Sequence, residues 1–214
     1  MTGSIQAHWD KVYGSKAVTD VSWYEAQPAK SLELIRATGA RSTDPIIDVG
    51  SGASLLVDGL LDREYLDLTV LDISAEALQK LRDRLGPRAA AVAFLQQDVT
   101  LFQPARRYAL WHDRAVFHFL TRREDRERYV EALRRALVPN GYVIIATFGP
   151  SGPERCSGFA TMRYDASALA GELGSDFELA DSSLVVHRTP GGVEQELLYC
   201  RFNRRASGQY RRKP

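Results

Sequence analysis

Pro45-Ile46-Ile47-Asp48-Val49-Gly50-Ser51-Gly52-Ala53-Ser54-Leu55-Leu56-Val57 decides how this chain folds. Ile46–Val49 is a short, mostly apolar run, as expected of a buried strand, and a helical apolar pattern begins at Leu55. Between them Gly50 and Gly52 allow a tight turn. Strand, glycine turn and helix start together form the geometry that holds a nucleotide-like cofactor. Asp48 narrows the choice. A dinucleotide rests its pyrophosphate on the helix N-terminus, and a carboxylate beside it would repel that group. The pattern GxGxxG also breaks, because Leu55 stands at its third glycine. A cofactor that carries positive charge and no phosphate suits an acid there.

Outward from this loop, strand-like and helix-like segments alternate. Ser31–Thr38 has helical spacing, Ile46–Val49 is a strand and Leu55–Leu61 a helix. Leu68–Asp72 is the next strand, and Ser74 can cap a helix that runs to about Leu85. Ala91–Gln96 and Tyr108–Asp113 read as strands, and Arg122–Leu137 as an amphipathic helix. Pro139-Asn140-Gly141 makes a turn into the strand Tyr142–Phe148. This order predicts an α/β fold, a mostly parallel sheet with helices on both faces. After a helix near Asp165–Leu173, Phe177–His187 and Gln195–Phe202 flank Thr189-Pro-Gly-Gly192, so they form a hairpin and the last strand enters antiparallel. The expected organisation is an N-terminal aromatic lid segment (1–30), one core domain (31–203) and a basic tail (204–214).

At 214 residues and 44% hydrophobic content, the chain can bury one full core. No run of eighteen apolar residues exists, so no membrane span is expected, and the N-terminus lacks a secretion-signal pattern. Cys156 and Cys200 lie far apart with no CxxC, which predicts neither a zinc site nor a disulfide framework, and a cytoplasmic setting. The net charge of +1 hides six basic residues in 201–214. The rest of the chain has 22 basic against 27 acidic residues, a net −5. That tail is either a solvated end or a patch for an acidic partner, and the acidic body argues against nucleic-acid binding.

Two more acids fall at successive strand ends. Asp72 can accept hydrogen bonds from ribose hydroxyls and Asp98 can take an adenine amino group, although each alone could be a helix cap or turn residue. S-adenosylmethionine (AdoMet), with its ammonium and sulfonium, fits such a site. With Asp48-x-Gly50-x-Gly52, Asp72 and Asp98, the chain resembles class I AdoMet-dependent methyltransferases over roughly residues 8–203. Many members have a third glycine where this chain has Ser54. The resemblance implies a Rossmann-like, doubly wound, seven-stranded sheet. Trp111-His112-Asp113-Arg114 resembles the Trp-Asp-Arg motif of thiopurine-methyltransferase-like enzymes, with His112 inserted. That likeness makes Arg114 a candidate for the AdoMet carboxylate, as a guanidinium can grip it bidentately; a surface ion pair is the plainer role.

His8-Trp9-Asp-Lys-Val-Tyr13 and Val21-Ser-Trp23-Tyr24 form an aromatic opening, a lid over the cleft or packing on the sheet edge. A similar opening occurs in thiopurine-methyltransferase-like enzymes and in lysine methyltransferases acting on elongation factors. Together these readings assign cofactor contacts to Trp9, Asp48, Gly50, Ser51, Gly52, Asp72, Ile73, Asp98, Val99 and Arg114. Acceptor contacts fall to Tyr13, Trp23, Tyr24, Phe117 and Cys156. Asp113 and His118 are the candidates if a base is needed, and no metal is expected. The expected activity is methyl transfer from AdoMet, leaving S-adenosylhomocysteine, to a small-molecule acceptor. A protein lysine acceptor and a non-catalytic AdoMet-binding protein are the alternatives, and an NAD(P) enzyme is disfavoured by Asp48.

Overall fold

A computed structural model describes residues 2–206. Helix α1 (Thr2–Ser15) and α2 (Ala29–Ala37) precede β1 (Ile46–Val49), α3 (Leu56–Leu61), β2 (Leu68–Asp72), α4 (Ala75–Leu85) and β3 (Val92–Gln96). Then come β4 (Tyr108–Arg114), α5 (Arg123–Ala136), β5 (Leu137–Phe148), the short β6 (Arg155–Cys156) and β7 (Phe159–Ala160), α6 (Ala166–Leu173), β8 (Phe177–Arg188) and β9 (Glu194–Arg204). Seven strands form one sheet in the order β3-β2-β1-β4-β5-β9-β8. The first five run parallel, and β9 is antiparallel to both β5 and β8. The expected doubly wound sheet with its C-terminal hairpin is therefore present.

Strand alternation sorts the core into two layers. Val143 and Ile145 of β5 join Trp111, Tyr129, Leu133 and Leu169 on the face covered by α5 and α6. Ile144 and Ala146 face the other way and join Leu34, Leu56, Leu78 and Leu81 from α2, α3 and α4. Helix α4 has its apolar residues at Ala77, Leu78, Leu81 and Leu85, one stripe at helical spacing. Ser74 caps it by accepting the Ala77 N–H at 3.1 Å, and Asp165 caps α6 through Ala168 at 2.8 Å.

Some boundaries differ from the sequence reading. The turn expected at Pro139-Asn140-Gly141 lies inside β5, which already starts at Leu137. Asn140 takes a left-handed φ of 61°, and the β4–β5 register shifts between Tyr108 and Leu110. The turn residues thus make a bulge in a continuous strand. The loop after β5 folds back as the β6–β7 hairpin, and the first thirty residues begin with a full helix, α1. Strand β9 runs through Arg204, whose guanidinium donates to the Leu137 carbonyl. The rest of the expected tail, 207–214, lies outside the described residues. Among the described residues no helix is long and apolar enough to cross a membrane.

Candidate active site

The strand order reverses between β1 and β4, and the parallel strands all end on the same side there. Such a switch point leaves a crevice beyond the strand ends. A cavity of about 460 Å³ occupies it, lined among others by Gly50, Asp72, Ile73, Asp98, Val99 and Arg114. Sequence neighbours do not make this site. Four strand ends and the N-terminal segment do.

The glycine loop is held by its own protein. Gly50 has φ +63°, and a Cβ there would overlap the Val116 side chain. Gly52 has φ +54°, and its Cβ would overlap the Tyr13 hydroxyl. Glycine is therefore required at both positions by backbone conformation and by close approach. The Gly52 N–H donates to Asp72 Oδ2 at 2.8 Å, and the Ser74 N–H to Asp72 Oδ1 at 2.8 Å. Burial pushes the Asp72 carboxyl up to about 6 against these two donors, helped by the nearby charges of Asp48 and Asp10. Each carboxylate oxygen retains a free lone pair beside the cavity. Asp98 Oδ1 accepts both the backbone N–H and the hydroxyl of Thr100 at 2.8 Å; it caps a short turn while lining the cavity.

Behind the loop lies a small pouch of about 40 Å³ that shares Gly50, Trp23, Tyr13 and Arg114 with the main cavity. Asp48, Ser51, Tyr24 and Glu25 also line it. Asp48 Oδ2 and Ser51 Oγ are buried there without a protein partner among the described residues. Such orphaned polar atoms cost free energy unless a ligand meets them. Arg114 donates from Nε to the Tyr199 hydroxyl at 3.0 Å and from Nη1 to the Trp23 carbonyl at 2.9 Å, and pairs with Glu25 at 3.0 Å. Two of its five N–H groups donate in these hydrogen bonds, and Nη2, paired in charge with Glu25, is itself buried without a hydrogen-bond partner among the described residues. A pouch with two acids, a hydroxyl and a guanidinium matches an α-amino acid zwitterion.

The N-terminal segment roofs the cavity. Asp10 of α1 accepts the Ser74 hydroxyl at 2.7 Å, latching α1 onto the start of α4. Trp9 packs edge-on against Trp23, with ring centroids 5.6 Å apart, and against Phe119 at 5.4 Å. Tyr13 accepts the Trp23 indole N–H at 3.2 Å, and Cys156 adds a wall.

Three expected residues line neither cavity: Gly52, whose N–H is given to Asp72, and Asp113 and Phe117. Asp113 is fully buried behind the crevice. It accepts the Tyr129 hydroxyl at 2.7 Å and the Val116 N–H at 2.9 Å, and the Trp111 indole donates to Tyr129 at 2.8 Å. Both of its oxygens have partners inside the core and it does not line the cavity, so it is a structural acid. Burial pushes its carboxyl up to about 6. Phe117 is also fully buried, packed on Tyr129 with centroids 4.9 Å apart, and reaches no acceptor. His118 does line the cavity, and burial lowers its pKa to about 3 with help from Arg114.

Sequence reasoning missed the ties that hold the pouch. His112 Nδ1 lies 2.7 Å from Asp48 Oδ1, and its Nε2 lies 2.9 Å from Ser31 Oγ. The partners sit 64 and 81 residues away, so no local spacing announces them. Glu25, the partner of Arg114, was equally silent. Among the described residues no group of three or more His, Cys, Asp or Glu could hold a metal ion.

Comparisons with known proteins agree with this geometry. The family described as a methyltransferase domain matches residues 47–143. A malonyl-[acyl-carrier protein] O-methyltransferase of Ilyobacter polytropus is 24% identical over 105 residues, covering 49% of this chain and 39% of that protein. An eEF1A lysine and N-terminal methyltransferase of Mus musculus is 27% identical over 95 residues, 44% of this chain and 13% of that one. The chain thus matches less than half the length of these two curated relatives. Among solved structures, a Burkholderia thailandensis 1,6-didemethyltoxoflavin-N1-methyltransferase, with S-adenosylhomocysteine and its acceptor bound, superposes with a TM-score of 0.67 at 19% identity. That match covers 95% of this chain and 85% of the other.

Proposed function

We propose that this chain, a class I AdoMet-dependent methyltransferase by its domain match and fold, moves a methyl group to a nucleophilic sulfur, oxygen or nitrogen of a small-molecule acceptor by in-line displacement. The observation that carries this reading is the pouch in which Asp48 Oδ2 and Ser51 Oγ are buried without partners beside Arg114 and Glu25. When bound, AdoMet supplies an electrophilic methyl on a sulfonium. Asp48 and Ser51 would receive its ammonium, and the spare N–H groups of Arg114, those of Nη2 foremost, its carboxylate. Asp72 would accept the ribose hydroxyls, and Asp98 the adenine amino group. Gly50, Ile73 and Val99 would supply the close apolar and backbone walls, and Gly52 would act through its hydrogen bond to Asp72.

The chain's own part in the reaction is alignment and exclusion of water. Trp9, Trp23, Phe119 and Phe148 all line the cavity, and aromatic faces attract a cation. Tyr13, Trp23 and Cys156 complete the boundary of the acceptor space, whereas Tyr24 lines the pouch and not the main cavity. Asp113 is already hydrogen-bonded inside the core and does not line the cavity, so it is not placed to act as a base.

A lysine side chain, as the name of the mouse relative describes, is the competing acceptor. The cavity rim carries Arg122 and Arg128 with Asp125, a mixed edge that gives a basic peptide no acidic track. A cleft walled by Trp9, Trp23, Phe119 and Phe148 suits a compact apolar molecule. Labelled AdoMet with a panel of thiols, halide, small carboxylates and lysine peptides tests this. Turnover confined to small molecules is the expected result; turnover of peptide lysine alone would overturn the acceptor class. Cofactor binding with no turnover across the panel would mark a non-catalytic AdoMet-binding protein.

A further inference from the structure

His118 sits on the short turn after β4 and is fully buried, yet it lines the main cavity. Its ring stacks flat on Phe148, with centroids 4.2 Å apart and planes 4° from parallel, and meets the edge of Phe119 at 4.5 Å. The backbone N–H of Phe148 donates to Nδ1 at 3.2 Å. An imidazole nitrogen that accepts an N–H holds a lone pair. In the neutral ring the proton must then reside on Nε2. Nε2 is buried and has no partner among the described residues. The charge that acts on the ring is Arg114, which together with burial keeps it neutral.

This tautomer excludes the obvious role. A general base needs a lone pair facing the acceptor's proton, and Nε2 presents an N–H instead. A buried N–H without a partner, on a residue that lines the cavity, calls for a hydrogen-bond acceptor. We propose that His118 is a specificity-determining donor whose Nε2–H binds an oxyanion of the methyl acceptor. The acceptor class is then an aromatic or otherwise flat apolar molecule with one ionised oxygen, a carboxylate or phenolate. Trp9, Phe119 and Phe148 supply the apolar walls for such a ring, and the cation of Arg114 lies on the same cavity. An acceptor already ionised needs no base, which agrees with Asp113 being held inside the core. The inference rests on the methyl-transfer reading for its meaning, but its geometry is independent of AdoMet.

The test uses the full chain with selectively nitrogen-labelled histidine, with and without S-adenosylhomocysteine, and with benzoate and p-nitrophenolate as probes. Nitrogen NMR should show His118 as the Nε2–H tautomer between about pH 5.5 and 8, with its Nε2–H signal moving downfield on addition of either probe. His118→Phe keeps the stack and removes the donor; it should bind the probes about ten- to a hundredfold more weakly. His118→Gln restores an amide N–H and a carbonyl for Phe148, and should recover part of that loss. S-adenosylhomocysteine affinity should stay within about twofold in both variants. An Nδ1–H tautomer, an imidazole titrating near its ordinary pKa, or a parent whose Nε2–H ignores both probes would overturn the proposal. The tautomer and probe shifts are read on the parent, so a variant that fails to fold leaves the test intact. Absent S-adenosylhomocysteine binding would instead count against the methyl-donor reading alone.

Discussion

His112 and Asp48 are register partners on the adjacent strands β4 and β1, and their side chains meet at 2.7 Å between Nδ1 and Oδ1. A carboxylate can only accept, so Nδ1 carries the proton and Nε2 accepts from the Ser31 hydroxyl at 2.9 Å. All three side chains are buried. The pairing uses one oxygen of Asp48 and leaves Oδ2 toward the pouch. His112, inserted into the Trp-Asp-Arg-like motif, thus orients the first acid of the site and ties it to α2.

His112→Phe should therefore weaken S-adenosylhomocysteine binding by about tenfold or more, since Asp48 would be buried without its donor. Ser31→Ala removes only the outer link and should cost less. Calorimetric titration of both variants checks the order; equal losses would place the support for Asp48 elsewhere.

Asp72 gives a pH dependence. Its carboxyl is pushed up to about 6, and ribose hydroxyls donate best to the ionised form. Affinity for S-adenosylhomocysteine should be full above that pH and fall as pH drops through about 6. Asp72→Asn should bind weakly and lose that pH step. Titrations between about pH 5 and 8 read both.

Asp113 affects stability. Its folded-state pKa of about 6 is above the ordinary carboxylate value, so the folded chain holds this proton more tightly than the unfolded chain. The associated stability is complete below about pH 4 and is lost as pH rises through about 6. Asp113→Asn should abolish this pH step, because an amide does not titrate, and at low pH should be less stable than the parent by about 1–3 kcal/mol, since one amide oxygen cannot accept from both Tyr129 and Val116. Urea unfolding at several pH values measures the difference. Tyr129→Phe, which strips a donor from Asp113 and an acceptor from Trp111, should lose about 1–3 kcal/mol.

Ser74 both caps α4 and latches Asp10 of α1. Ser74→Ala should cost about 1 kcal/mol of stability. It should also speed hydrogen exchange in α1 more than in α5, because only α1 loses its tie. Uniform acceleration in both helices would show that the latch does not hold the roof.

Most of the fold was legible because it is written in local patterns. Ile46–Val49, Leu68–Asp72 and the stripe Ala77–Leu85 carry their periods openly, and Ser74 and Asp165 are caps with their donors three residues on. The glycine loop and the acids at 48, 72 and 98 marked the crevice for the same reason: strand ends converge there. Pro139-Asn140-Gly141 misled because turn chemistry also makes a bulge, and only the partner strand decides which. The ties Asp48–His112–Ser31 and Arg114–Glu25 join residues far apart in sequence, so spacing could not reveal them. Asp113 and Phe117 stood next to the right strand end, but the twist of β4 and the turn after it carry them into the core, leaving Arg114 and His118 at the cavity.

In the proposed reading, the crevice between β1 and β4 takes a methyl donor and excludes a dinucleotide. Titration calorimetry of the full chain with S-adenosylhomocysteine, and separately with NADH, tests it most directly. Saturable binding of S-adenosylhomocysteine, reduced at least tenfold in Asp72→Asn, with no heat from NADH, is the predicted result. Saturable NADH binding with none from S-adenosylhomocysteine would contradict it.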